Sequence, residues 1–109
     1  MKGVLASDFY RFTEMGSVWS QSQEHGESLR QFPCLGILGI GGSSLGPKVI
    51  TDFFGGSDKI LILENVDPIS FERKTKALNL SAMHWLVISK SGRTLETLAQ
   101  LSLLVPRYQ

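Results

Sequence analysis

Three short runs of consecutive apolar residues, 35–40, 60–63 and 85–88, stand out from an otherwise mixed chain. Each is too brief for a helix and too uniformly apolar for a strand with one wet face. They have the signature of strands buried on both sides of a parallel sheet. Between and after them the spacing becomes helical. Residues 45–54 place Leu45, Val49, Ile50 and Phe53 on one face, and Gly55-Gly56 supplies the stop. Residues 69–80 follow Asp67-Pro68 and carry Arg73, Lys74 and Lys76 on an exposed side. Residues 94–105 align Leu95, Leu98, Leu101 and Leu104 or Val105, and Pro106 ends the run. Strand and helix thus alternate three times. That order predicts right-handed crossovers and an α/β fold: a three-layer αβα sandwich, Rossmann-like, with helices on both faces of a parallel sheet.

The first 32 residues follow a different pattern, polar with scattered aromatics (Phe9, Tyr10, Phe12, Trp19). They are expected to form a leader segment, 1–32, packed onto the domain at 33–109, with a helix over 21–30 interrupted at Gly26. A chain of 109 residues allows one domain with a modest core and is short for a complete metabolic enzyme, so the domain is expected to be partial. Eleven basic against ten acidic side chains leave a net charge of +1. No global field recruits nucleic acid or an anionic membrane, and any anion site must be local. The apolar runs at 35–40 and 101–105 fall far short of a membrane span, and the N-terminus turns polar before a signal peptide could develop. The single cysteine, Cys34, has no internal partner and lies beside an apolar run, which favours a packing role and a reducing, cytoplasmic setting.

In open parallel sheets ligands gather beyond the carboxyl ends of the strands. This selects three loops. Residues 39–47, Gly-Ile-Gly-Gly-Ser-Ser-Leu-Gly-Pro, combine glycines with two hydroxyls directly after a strand. Glycine lets the backbone approach a ligand, and the N–H groups of the following helix attract anions. A tight turn in which Ser43 or Ser44 caps the helix fits equally well. A dinucleotide fingerprint would want glycine where Ser44 stands, with Glu64 only a weak acidic partner, and a P-loop is broken by Pro47 ahead of Lys48 and Val49. Residues 89–97, Ser-Lys-Ser-Gly-Arg-Thr-Leu-Glu-Thr, are denser in donors. Three small hydroxyls (Ser89, Ser91, Thr94) before a helix N-terminus can saturate the oxygens of a phosphate dianion. A capping box led by Thr94, with a solvated Lys90–Arg93 pair, explains Thr94 and leaves Ser89 and Ser91 unexplained. At 64–68, Asp67 before Pro68 is expected to start a helix. His25 and His84 lack ligand-spaced partners, so no metal site is expected, and Glu96 is assigned to the helix N-terminus.

Together, Gly-Ile-Gly-Gly-Ser-Ser-Leu-Gly-Pro at 39–47, Asn-Val-Asp at 65–67 and Ser-Lys-Ser-Gly-Arg-Thr-Leu-Glu-Thr at 89–97 resemble the glucose-6-phosphate isomerase (phosphoglucose isomerase) family, in order and in spacing. The resemblance covers roughly 33–105; the second motif is shared more widely among sugar isomerase (SIS) domains. It implies the first of that family's SIS domains, with Gly42 and Ser43 contacting substrate and Ser89, Lys90, Ser91, Gly92, Arg93 and Thr94 binding the sugar phosphate, supported by Thr97. Arg93 stands where bacterial members usually carry glycine, a position whose φ an arginine meets less easily. The implied reaction interconverts glucose 6-phosphate and fructose 6-phosphate through an enediol(ate), without metal or organic cofactor, in an enzyme that is a homodimer at full length. The family's base and ring-opening groups have no counterpart in these residues, so no catalytic residue is assigned and the chain alone is expected to be inactive. Two other readings share the hydroxyl loop: a regulatory SIS module that senses a sugar phosphate, and an SIS isomerase acting on another sugar phosphate.

Overall fold

In the computed structural model, residues 16–56 and 58–107 are described. β1 (Leu35–Leu38) lies at the centre of a three-stranded sheet, flanked by β2 (Ile60–Leu63) and β3 (His84–Val87), with both pairings parallel. The strands are the apolar runs of the sequence, trimmed at their C-terminal ends or shifted by one residue. The register sets Gly36 between Leu61 and Trp85, and Leu38 between Leu63 and Val87.

Three helices follow the strands: α2 (Gly42–Phe54), α3 (Pro68–Thr75) and α4 (Leu95–Leu104). The chain passes from the central β1 to one edge and then back across to the other. Right-handed crossovers therefore put α2 on one face and α3 on the opposite one. Phe71 of α3 and Leu104 of α4 join Leu38, Leu63, Leu80 and Met83 in one buried cluster. Cys34 packs at its margin. The α/β architecture is the one the sequence predicts, as a small partial domain.

Several details depart from expectation. α3 stops at Thr75 rather than running to residue 80, because Leu80 and Met83 are drawn into the core and a 3-10 turn, Leu80–Ala82, replaces the helix axis. The expected apolar face of α4 is rotated. Its buried residues are Thr97, Gln100 and Leu104, while Leu95 and Leu98 are exposed. α2 is inverted outright. Ser44 and Thr51 are its buried residues, and Leu45, Val49, Ile50, Phe53 and Phe54 are between 59% and 81% exposed. The helix start approaches the sheet closely. A Cβ on Gly39 would stand 3.1 Å from Ser43, so only small side chains fit where α2 meets the end of β1.

The chain divides into two units, Met1–Gln31 and Phe32–Gln109. In the first, α1 (Gly16–Leu29) runs through Gly26 without the interruption expected there. A single glycine costs only about 1 kcal/mol against alanine, and the Arg30–Glu27 ion pair supports the last turn. The aromatics Phe9, Tyr10 and Phe12 lie outside the described residues.

Candidate functional site

The two glycine- and hydroxyl-bearing loops leave the sheet side by side. They follow the adjacent strands β1 and β3, whose ends are tied by Ile88 N–H donating to the Leu38 carbonyl at 2.9 Å. Neighbouring strands stand about 4.8 Å apart, so the two loops start from adjacent strand ends.

In the first loop Gly41 is the N-cap of α2 and makes no side-chain cap. Gly42 and Ser43 fall in the first helical turn, Gly42 exposed and Ser43 half-buried. The capping role left open for the serines is not observed. Ser44 Oγ instead donates back to the Gly41 carbonyl at 3.0 Å, which ties the turn together. The backbone donors at this helix start are partly used: Ser43 N–H meets the Ile40 carbonyl at 3.2 Å and Leu45 N–H meets the Gly41 carbonyl at 3.0 Å.

The second loop is folded on its own hydroxyls. Ser89 Oγ accepts from Gly92 N–H at 3.0 Å and shares a hydrogen bond with Thr94 Oγ1 at 3.1 Å. Ser91 Oγ accepts from Arg93 N–H at 3.1 Å. The sharp turn needs a positive φ, and Gly92 provides it at 66°. Arg93 is free of that demand: no non-glycine residue among those described has a positive φ, so the conformational difficulty expected for it does not arise. The loop leads into α4 with Thr94 as N-cap, and Thr94 makes no side-chain cap to the helix. Its hydroxyl faces Ser89 instead, and the capping-box alternative fails here. The first intrahelical bond is Leu98 N–H to the Thr94 carbonyl at 3.0 Å. The N–H groups of the preceding turn are thereby left pointing out of the helix end, where its dipole favours negative charge. Thr97 is buried one turn in. Lys90 and Arg93 are exposed and join no ion pair among the described residues.

The structure therefore gathers Ser89, Gly92 and Thr94 into one hydrogen-bonded knot with Ser91 and Arg93 beside it. Gly42 and Ser43 stand at the neighbouring helix start, with no hydrogen bond to that knot among the described residues. Asp67 starts α3 as expected: its carboxylate accepts from Ile69 N–H at 3.3 Å and Ser70 N–H at 3.0 Å. Hydrogen bonds from the Ser70 side chain and backbone hold the Asp67 pKa below its ordinary value. Asn65 Oδ1 accepts from Asp67 N–H at 3.1 Å and shapes this third loop. Thr51, Thr75 and Gln100 are buried polar residues that no sequence motif marks. Gln100 Nε2 donates to the carbonyls of Leu63 and Asn65, and the only signal for it was a polar residue three positions after Thr97 on an otherwise apolar helix.

Chemically, this edge offers hydroxyls, backbone N–H groups, two exposed cations and a helix dipole, all suited to an anion. It does not bring a histidine or a buried carboxylate into the loops. Among the described residues no three His, Cys, Asp or Glu side chains cluster as a metal site would need, and no helix is long and apolar enough to cross a membrane.

Comparison with known proteins supplies the lineage. The chain is 45% identical over 65 residues to a glucose-6-phosphate isomerase of Saccharophagus degradans, covering 56% of this chain and 12% of that protein. It is 42% identical over 65 residues to a probable glucose-6-phosphate isomerase of Haloquadratum walsbyi, covering 58% of this chain and 15% of that protein. Against the glucose-6-phosphate isomerase of Chlamydia trachomatis it is 36% identical over 83 residues, 72% of this chain and 16% of the relative. The chain thus spans about one sixth or less of the length of these relatives. The profile of the family described as "Phosphoglucose isomerase" matches residues 12–104, nearly the whole chain and both loops, and the chain belongs to the phosphoglucose isomerase family.

Proposed function

We propose that this chain is the substrate-anchoring part of an aldose–ketose isomerase that interconverts glucose 6-phosphate and fructose 6-phosphate. In this reading the hydroxyls of Ser89, Ser91 and Thr94 grip the phosphate around the turn that Gly92 makes, Lys90 and Arg93 add charge, Thr97 supports the helix start, and Gly42 and Ser43 meet the sugar. The observation that carries it is the Ser89–Thr94 hydroxyl knot at the α4 N-terminus, with Thr94 turned away from capping. Such a knot is nearly organised for an oxyanion before the ligand arrives, which lowers the cost of binding. Positioning a phosphate contributes to catalysis by orienting the reacting carbons, whereas the proton transfer requires a placed base. None of the loop residues is suited to that task, so the 109-residue chain is expected to show no turnover of fructose 6-phosphate. The complete enzyme of this reading is a cytoplasmic homodimer working on a free metabolite, with no cofactor.

The test is a thermal-shift titration of the chain with 6-phosphogluconate and, separately, ATP. Stabilisation by the sugar acid is expected, together with its loss in Thr94→Val. Stabilisation by ATP alone would sink the reading. A sensing module is the weaker alternative, because it has no use for the 39–47 loop beside the phosphate knot.

A further inference from the structure

Gln100, the sixth residue of α4, is completely buried. Its Nε2 donates to the Leu63 carbonyl at 2.9 Å and the Asn65 carbonyl at 3.1 Å, while its Oε1 is buried with no hydrogen-bond partner. A buried amide with an unpaired acceptor is worse for folding than an apolar side chain of the same shape. What the amide provides in return is a link across the sheet. α4 follows β3 on one edge, Leu63 and Asn65 end β2 on the other, and β1 lies between. The Leu63 carbonyl also accepts from Gly39 N–H at 3.3 Å, so the end of β1 and the body of α4 converge on one oxygen of β2.

This link bears on the anion loop through helix geometry. Thr94, Thr97 and Gln100 recur every three residues, each a neighbour of the next on α4, with Gln100 about 9 Å along the axis from Thr94. Thr97 and Gln100 are both buried. A helix is stiff over so short a distance, so wherever Gln100 is tied, the N-terminal turn follows. We infer that Gln100 is a positioning residue for the phosphate loop: by anchoring α4 to the end of β2 it sets the depth at which Thr94, Thr97 and the helix N–H groups meet the anion. The inference rests on the phosphosugar reading above and adds to it a residue that touches no ligand.

The experiment compares Gln100→Met, which keeps length and burial but removes both donors, with Phe71→Leu, a change in the buried cluster that leaves the Gln100 amide and its two acceptors in place. Affinity for 6-phosphogluconate and for inorganic phosphate is measured by calorimetry at a temperature where circular dichroism reports each variant folded. Gln100→Met is expected to bind about tenfold more weakly and Phe71→Leu within about twofold of the original chain, because a displacement of the order of an ångström suffices for such a loss. Equal affinities of Gln100→Met and the original chain overturn the inference, as does an equal loss in Phe71→Leu. Should Gln100→Met not fold, NMR on the unaltered chain decides. The Gln100 side-chain amide and the Asn65 backbone amide are expected to shift with the same half-saturation as the amides of 91–97, and signals that stay fixed while those move overturn the inference. Absence of any binding by the unaltered chain is a different result, since it removes the phosphosugar reading itself and the positioning role with it.

Discussion

At the residue scale the least replaceable position is Gly36, in the central strand. A Cβ built there overlaps the six-membered ring of Trp85, its register partner on β3. Trp85 has little room to yield, since its Nε1 donates to the Leu80 carbonyl at 3.4 Å and its ring packs on the core. Gly36→Ala is therefore expected to destabilise by about 1–3 kcal/mol, the usual range for forced overpacking, read from the urea midpoint at unchanged slope. Asp67 supplies a pH-dependent counterpart. Its pKa is lowered in the folded state from the ordinary 3.8, chiefly by hydrogen bonds from Ser70. A lowered carboxyl pKa contributes stability that is present above the unfolded value and lost as pH falls through the folded one. Stability curves of the original chain and of Asp67→Ala should thus run apart near neutral pH and converge as pH drops below 3.8. A gap that stayed constant through acid would show that the cap works without its charge.

The element scale shows where sequence patterns stop being informative. The three strands were legible because each is apolar on both faces, and the order of elements followed from them. The helices were legible as helices; α3 and its C-cap expose Arg73, Lys74 and Lys76 as the sequence indicates, whereas the apolar stripes of α2 and α4 do not face the core as expected. Period 3.6 identifies an apolar stripe but not the direction it faces, and in α2 the stripe is exposed while Ser44 and Thr51 are buried. In α4 the buried side carries Thr97 and Gln100, and the hydrogen-bonding partners of Gln100 lie 37 and 35 residues away in sequence and leave no local mark. The hydroxyl knot was legible as composition, three hydroxyls before a helix, whereas the Ser89–Thr94 pairing that rules out capping appears only in three dimensions. α2 has a practical consequence. Leu45, Val49, Ile50, Phe53 and Phe54 form an exposed apolar stripe, the kind of surface that serves for association. Phe53, 81% exposed, has little burial to lose on substitution. Phe53→Ser is expected to change unfolding free energy by no more than about 0.5 kcal/mol while raising the concentration at which the isolated chain self-associates. A loss of several kcal/mol would place Phe53 in the folded core and contradict the inverted helix.

At the scale of the whole molecule a small core has to support a preorganised site. Only seven apolar residues among those described are buried, and a unit of this size is marginally stable by its surface-to-volume ratio alone. In such a protein binding and folding are closely linked, because a ligand that binds only the folded state adds RT ln(1 + [L]/Kd) to its stability. At a hundredfold excess over Kd this is about 2.7 kcal/mol, a large fraction of what a marginal domain possesses. For a domain of this length the corresponding rise in Tm is about 10 °C or more. The thermal titration therefore reports on the site with high gain, and its concentration dependence discriminates further than its size. A specific phosphosugar site raises Tm without limit as the logarithm of ligand concentration, whereas general screening of Lys90 and Arg93 by an anion levels off and is reproduced by chloride at equal ionic strength. The expected outcome is the logarithmic rise with 6-phosphogluconate, retained in 150 mM salt at about the physiological screening length. A response that vanished in salt would reduce the loop to a surface cluster of charge and leave the Ser89–Thr94 knot as a turn.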